Sequence, residues 1–224
     1  MPLVSIIVPI YNEKRTLPRF LKSLGKVKLD KETILADDGS IDGGPELLRG
    51  VKGAKVLLLR HEGKGSALRA GAARAKGRFL VFLDADLEYS PSDIPKLVRE
   101  AQKGPRAVFG SRFLLPYAQP RDIYYLGNRF LNFLLRRLHQ GRLTDFETGL
   151  KLVPRHVFRK LSLGARGFDI EPELTLALLS AGCLIAEVPV SYRPRNRAEG
   201  KKIRWRDGFR ALAMLIRRRG SDSV

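Results

Sequence analysis

Phe79-Leu80-Val81-Phe82-Leu83 is a run of five large apolar residues that leads without a break into Asp84-Ala85-Asp86-Leu87-Glu88. A short, continuous apolar run of this kind marks a strand buried on both faces, as in a parallel sheet. Alternate side chains of an extended backbone share one face, so Asp84, Asp86 and Glu88 are expected to converge. Like charges that close need a cation, protonation or solvent to relieve them. Hard carboxylate oxygens suit Mg²⁺ or Mn²⁺, ions that keep coordination positions open for water and for a substrate's phosphates. The stretch thus outlines a diphosphate-handling site, while a lone Asp-x-Asp is equally the solvated end of a strand.

The rest of the chain decides between these. Val4-Ser5-Ile6-Ile7-Val8-Pro9-Ile10 reads as a second buried strand whose ladder Pro9 is expected to end, with Tyr11-Asn12-Glu13 after it. Thr33-Ile34-Leu35-Ala36 leads into Asp37-Asp38-Gly39-Ser40, and Val56-Leu57-Leu58-Leu59 leads to His61-Glu62-Gly63-Lys64-Gly65. Helical patterns separate these strands, which argues βαβ units and a mostly parallel central sheet with helices on both faces. Ligands of such sheets bind beyond the carboxyl ends of the strands, where all four polar clusters fall. A fifth strand, Ala107-Val108-Phe109, brings Arg112 to the same edge. From Ile123 to Leu138, apolar residues at 123, 126, 130, 131, 134 and 138 make a helical stripe expected to cover the core, with Arg129 outside it. Ile185 to Tyr192 is the last strand expected.

At 224 residues with 44% hydrophobic content, the chain is most simply one α/β domain. Lys and Arg number 42 against 23 acids, a net charge of +19, which calls for an anionic partner. Nucleic acid is the disfavoured choice, because acidic strand ends repel phosphate unless a metal intervenes. The single cysteine, Cys183, excludes an intramolecular disulfide and suits a cytoplasmic setting. No apolar stretch is long enough to span a bilayer, and no signal peptide is expected.

Taken in order, Ser5 to Glu13, Asp37-Asp38-Gly39-Ser40, Gly63-Lys64-Gly65, Asp84-Ala85-Asp86-Leu87, Gly110-Ser111-Arg112 and Glu187-Val188-Pro189-Val190 resemble family 2 glycosyltransferases of the GT-A (Rossmann-like) fold, most of all the dolichol-phosphate or polyprenol-phosphate mannose synthase type. The resemblance covers residues 4 to about 210. It implies an inverting transfer of a hexose from a nucleotide-diphosphate sugar, of the GDP-mannose or UDP-glucose type, to a polyprenyl phosphate. It also implies nucleotide-binding roles for Pro9, Tyr11, Glu13, Asp37, Asp38, Lys64 and Asp84, and a metal held by Asp84, Asp86 and Glu88. Glu88 stands where many relatives show Gln, and Ile41 where Thr is usual. Gly200-Lys201-Lys202 resembles a Gly-Ser-Lys that contacts donor phosphates, so Lys201 and Lys202 join the nucleotide set.

Cleaving a sugar-diphosphate bond develops charge that a divalent cation stabilises as a Lewis acid, and Lys64, Lys201 or Lys202 can share the task. An acceptor phosphate is already ionised and needs orienting, for which Arg112 and Arg129 are the candidates, each with an ion pair as its bland alternative. A hydroxyl acceptor would instead need a general base, Asp145 or Glu147. A metal-dependent sugar nucleotidyltransferase would favour a Gly-rich loop after the first strand, which is lacking here. Residues 1–200 are expected to form the transferase domain and 201–224 a basic amphipathic segment. In that segment Trp205, Phe209, Leu212, Leu215 and Ile216 form a stripe expected either to dock peripherally on an anionic membrane surface, on its cytoplasmic face, or to pack on the core as an ordinary terminal helix.

Overall fold

The computed structural model describes residues 1–115, 123–139, 142–195 and 205–218. Strands and helices alternate through the first half: β1 (Val4–Ile10), α1 (Leu17–Gly25), β2 (Lys31–Asp37), α2 (Gly44–Arg49), β3 (Lys55–Leu58), α3 (Lys64–Arg74) and β4 (Phe79–Phe82). Then follow α4 (Ile94–Ala101), β5 (Arg106–Ser111), α5 (Ile123–His139), β6 (Lys151–Pro154), α6 (Arg155–Phe158), α7 (Ile170–Ser180), β7 (Leu184–Pro189) and α8 (Trp205–Arg218). The seven strands form one sheet in the order β3-β2-β1-β4-β6-β5-β7. β6 runs antiparallel to both β4 and β5, and the other pairings are parallel.

Every residue of β1 and β4 is buried, which is why β4 reads as an unbroken apolar run and β1 as one interrupted only by Ser5. The strand period of two divides them between two cores. Val4, Ile6, Val8, Phe79 and Val81 pack with Leu17 and Phe20 of α1 and Leu97 of α4, whereas Ile7, Leu80 and Phe82 pack with Leu68 of α3, Leu131 of α5 and Leu174 of α7. Helices therefore cover both faces. The approach of α3 is close: a Cβ on Gly71 would lie 2.5 Å from Ile7 Cγ2.

Three expectations are corrected. Pro9 does not end β1, whose pairing with β2 continues to Ile10 opposite Asp37. On the other side β4 pairs only with Val4 to Ile7, so the N–H that Pro9 lacks would have met no partner strand. β4 itself ends at Phe82, opposite Lys151 where antiparallel β6 begins, and the acids beyond fold into a turn with Leu87 at φ +66°. Alternation along an extended strand therefore does not govern Asp84, Asp86 and Glu88. The stripe on α5 also divides, with Leu131 buried and Leu126 and Phe130 exposed.

Candidate functional site at the carboxyl edge of the sheet

The loops after β1, β2, β3, β4, β5 and β7 meet along one edge. The ring of Tyr11 stacks on that of His61, centroids 4.1 Å apart. Asp38, in the loop after β2, fixes the loop after β3: its carboxylate accepts from Glu62 N at 2.9 Å and Gly63 N at 2.9 Å and meets His61 Nδ1 at 2.8 Å. Asp37 differs. One oxygen accepts from Ser40 N at 3.0 Å, but Oδ1 is buried with no hydrogen-bond partner. A buried acceptor left open is costly unless a ligand fills it, so Asp37 is the residue of this pair with an oxygen left to accept from a ligand's N–H or O–H group. Pro9 is buried within β1.

Lys64 donates to Asp84 Oδ2 at 2.7 Å and pairs with Glu171 Oε1 at 2.8 Å. Glu171 in turn takes the Nζ of Lys151, which is fully buried on β6 and also donates to Thr148 O at 2.6 Å. Burial opposes the charge on Lys64, yet Asp84 and Glu171 outweigh it and hold the ammonium above its ordinary pKa. Burial leaves Asp84 above the usual carboxylate range despite Lys64. The two glycines flanking Lys64 let the 164–167 segment lie against it. A Cβ on Gly63 would sit 2.4 Å from Arg166 O, and one on Gly65 would sit 2.2 Å from Ala165 O.

The remaining carboxylates gather on Arg195. Its Nη1 donates to both oxygens of Glu13 at 3.1 Å and its Nη2 to Asp86 Oδ2 at 3.1 Å. Its backbone N–H donates to Glu88 Oε1 at 2.8 Å, and Tyr192 Oη donates to Glu88 Oε2 at 3.0 Å. Asp84 is thus turned to Lys64, and Asp86 and Glu88 to the 192–195 segment. Among the described residues, no three His, Cys, Asp or Glu side chains form a ready ligand shell, so the expected convergence is not seen. The donor set still fits a hard divalent cation. Burial, then Asp84 and Glu88, lift Asp86 to about 7 against the pull of Arg195, the mark of a cluster short of positive charge.

Arg112 is 7% exposed and grips Asp145 with two parallel hydrogen bonds of 2.7 Å, from Nε and Nη2, while its backbone N–H adds a third at 2.9 Å. Asp145 is fully buried, and a carboxylate that accepts all three of these hydrogen bonds is a strut for Arg112. Glu147 differs, since burial, opposed by Arg112, lifts it to about 7. Arg129 is exposed on α5, and Lys201 and Lys202 lie outside the described residues. Sequence reasoning missed Arg195, Glu171 and Lys151. β7 is parallel to β5, so the strand-end rule that found Arg112 would also have pointed to Arg195.

A family model described as "Glycosyl transferase family 2" matches residues 5–162. The undecaprenyl-phosphate 4-deoxy-4-formamido-L-arabinose transferase of Pseudomonas fluorescens is 39% identical over 211 residues, covering 88% of this chain and 59% of that protein. Its namesake from Aeromonas hydrophila is 34% identical over 167 residues, 69% of this chain and 50% of that protein. The chain thus spans about half the length of the curated relatives it matches. Glucosyl-3-phosphoglycerate synthase from Mycobacterium tuberculosis, solved with Mn²⁺, UDP and glucosyl-3-phosphoglycerate, shares the fold with a TM-score of 0.75 at 23% identity, covering 98% of this chain and 80% of that one.

Proposed function

Because the chain belongs to glycosyl transferase family 2, we propose that it moves a sugar from a nucleotide-diphosphate donor to a polyprenyl phosphate at a membrane surface. The observation that carries this reading is the buried carboxylate edge, where Asp84, Asp86 and Glu88 are balanced by Lys64 and Arg195 beside the unfilled acceptor of Asp37. The names of the relatives support the acceptor class. Asp37 and the Tyr11–His61 pair receive the nucleoside. Asp84, Asp86 and Glu88 would hold Mn²⁺ or Mg²⁺, which supplies Lewis-acid stabilisation of the departing diphosphate. Lys64 adds positive charge on the same side.

An acceptor phosphate attacks as it stands, since its second pKa of about 6 leaves it ionised at neutral pH. Attack opposite the departing diphosphate inverts the anomeric carbon. Pairing with Asp145 fixes the Arg112 guanidinium and leaves its Nη1 outside that pair, where it orients the acceptor. One observation favours a second reading, a hydroxyl acceptor: Glu147, lifted to about 7, has the basicity a general base needs.

No helix among the described residues is long and apolar enough to cross a membrane. Docking is the work of two helices. Leu126, Phe130 and Phe133, at i, i+4 and i+7 on α5, are exposed, as are Phe209 and Ile216 on α8. Leu131 and Leu135 of α5 and Ala211 and Leu215 of α8 enter one core, so the opposite faces turn outward. The stripe expected on the C-terminal segment is therefore split, with Leu215 inside and Phe209 and Ile216 outside. Exposed Arg129, Arg136 and Arg137 beside these apolar residues suit an anionic leaflet. The donor reading is tested by thermal melting. UDP or GDP with Mn²⁺ should raise the midpoint and duplex DNA should not; no shift with either nucleotide contradicts it.

A further inference from the structure

Arg195 stands in the middle of the acids expected to serve a metal. Its guanidinium bonds Glu13 and Asp86, and its Nε, 3.9 Å from Glu88 Oε1, is buried without a hydrogen-bond partner. One guanidinium thus faces three carboxylates, each side chain 14% exposed or less. The segment that carries it is strapped down by Glu88 through Tyr192 Oη and two backbone groups, Arg193 N donating to Glu88 O at 2.8 Å and Arg195 N to Oε1. Tyr89 and Tyr192 complete the strap as an isolated antiparallel bridge. The same side chain, Glu88, would therefore both hold the strap and ligate an ion.

We propose that Arg195 is a built-in counter-cation that occupies the carboxylate cluster in the unloaded protein, so that a divalent metal binds only by displacing it. This rests on the reading of the edge as a donor site and adds an order to it. Metal alone competes with a tethered guanidinium for Asp86 and Glu88 and binds weakly. A nucleoside diphosphate offers the displaced guanidinium a new anionic partner within reach of its tether, so metal and nucleotide bind cooperatively. Because coupling between two ligands is reciprocal, each raises the other's affinity by the same factor. The device keeps the acids from collecting stray cations while the donor is absent.

The test is titration calorimetry of the full chain with Mn²⁺ alone, with UDP or GDP alone, and with both. In the wild type, Mn²⁺ alone should bind weakly and either nucleotide should tighten it. Arg195→Ala should tighten Mn²⁺ binding about tenfold without nucleotide and bring the coupling factor close to one, a change within the usual range of coupling energies. Arg195→Lys, which keeps the charge but cannot span Glu13 and Asp86 together, should fall between, and it decides the matter if the alanine variant fails to melt cooperatively. Adding Asp86→Asn to Arg195→Ala should remove the gain. Arg195 variants that bind Mn²⁺ no more tightly than wild type overturn the displacement. A wild type that binds neither nucleotide, beside an Arg195→Ala that gains Mn²⁺, keeps the displacement and rejects the donor reading.

Discussion

At Asp86 the physics of the site is concentrated in one carboxyl. Burial and the nearby Asp84 and Glu88 lift it to about 7, so it binds its proton far more tightly in the fold than in the open chain, where 3.8 is ordinary. A carboxyl raised in this way contributes stability that is fully present below about pH 4 and is lost as pH rises through about 7. In urea titrations without added metal, wild type should therefore lose stability between pH 5 and pH 8, and Asp86→Asn should flatten that slope. An unchanged slope in the variant would place the strain elsewhere. Residues of this kind were partly legible in the sequence, because an apolar run that ends in acids marks a strand end whatever the turn beyond it does. The strand-end rule reaches Arg195 but not its partners, since Glu13 and Asp86 lie 182 and 109 residues away and no periodicity links them.

Among the elements, the contact between α3 and the 164–167 segment sets where Lys64 points. Gly65 N donates to Arg166 O at 2.6 Å, and Glu173 of α7 accepts from Ala165 N at 2.8 Å, so the segment is fixed on both sides. Gly65→Ala places a methyl 2.2 Å from Ala165 O. It should destabilise the protein by about 1–3 kcal/mol, as overpacking does. It should also weaken nucleotide binding with Mn²⁺ by shifting Lys64 from Asp84. Full stability and binding in that variant would contradict the role given to the paired glycines. The alternating strands and helices of the first half were readable because the buried stretches of β1, β2 and β4 are mostly apolar. The reversed direction of β6 was not, because hydropathy carries no sign of strand direction. The α5 stripe misled because apolar residues on this helix serve two faces, Leu131 and Leu135 inward and Leu126, Phe130 and Phe133 outward.

For the whole molecule, a net charge of +19 must coexist with an acidic binding edge, and the fold separates the two. The acids line the loops beyond the strands, whereas Arg129, Arg136 and Arg137 of α5 and Arg210 of α8 are exposed. Each Arg near an anionic leaflet is worth about 1 kcal/mol, so a few suffice for reversible attachment. Sedimentation with vesicles containing anionic lipid should show binding that weakens as salt rises, and a Phe130→Ser, Phe133→Ser variant that still melts cooperatively should lose most of it. Equal binding by that variant would remove α5 from the docking face. The central claim is transfer to a lipid phosphate, and its most direct test is a transfer assay supplying UDP- and GDP-linked sugars, undecaprenyl phosphate and Mn²⁺. The expected result is a lipid-phosphate sugar from at least one donor, no product with Asp86→Ala, and near-normal product with Glu147→Gln because no protein base is needed. Full activity in Asp86→Ala, or loss of all transfer in a folded Glu147→Gln that still binds donor and acceptor, would contradict it.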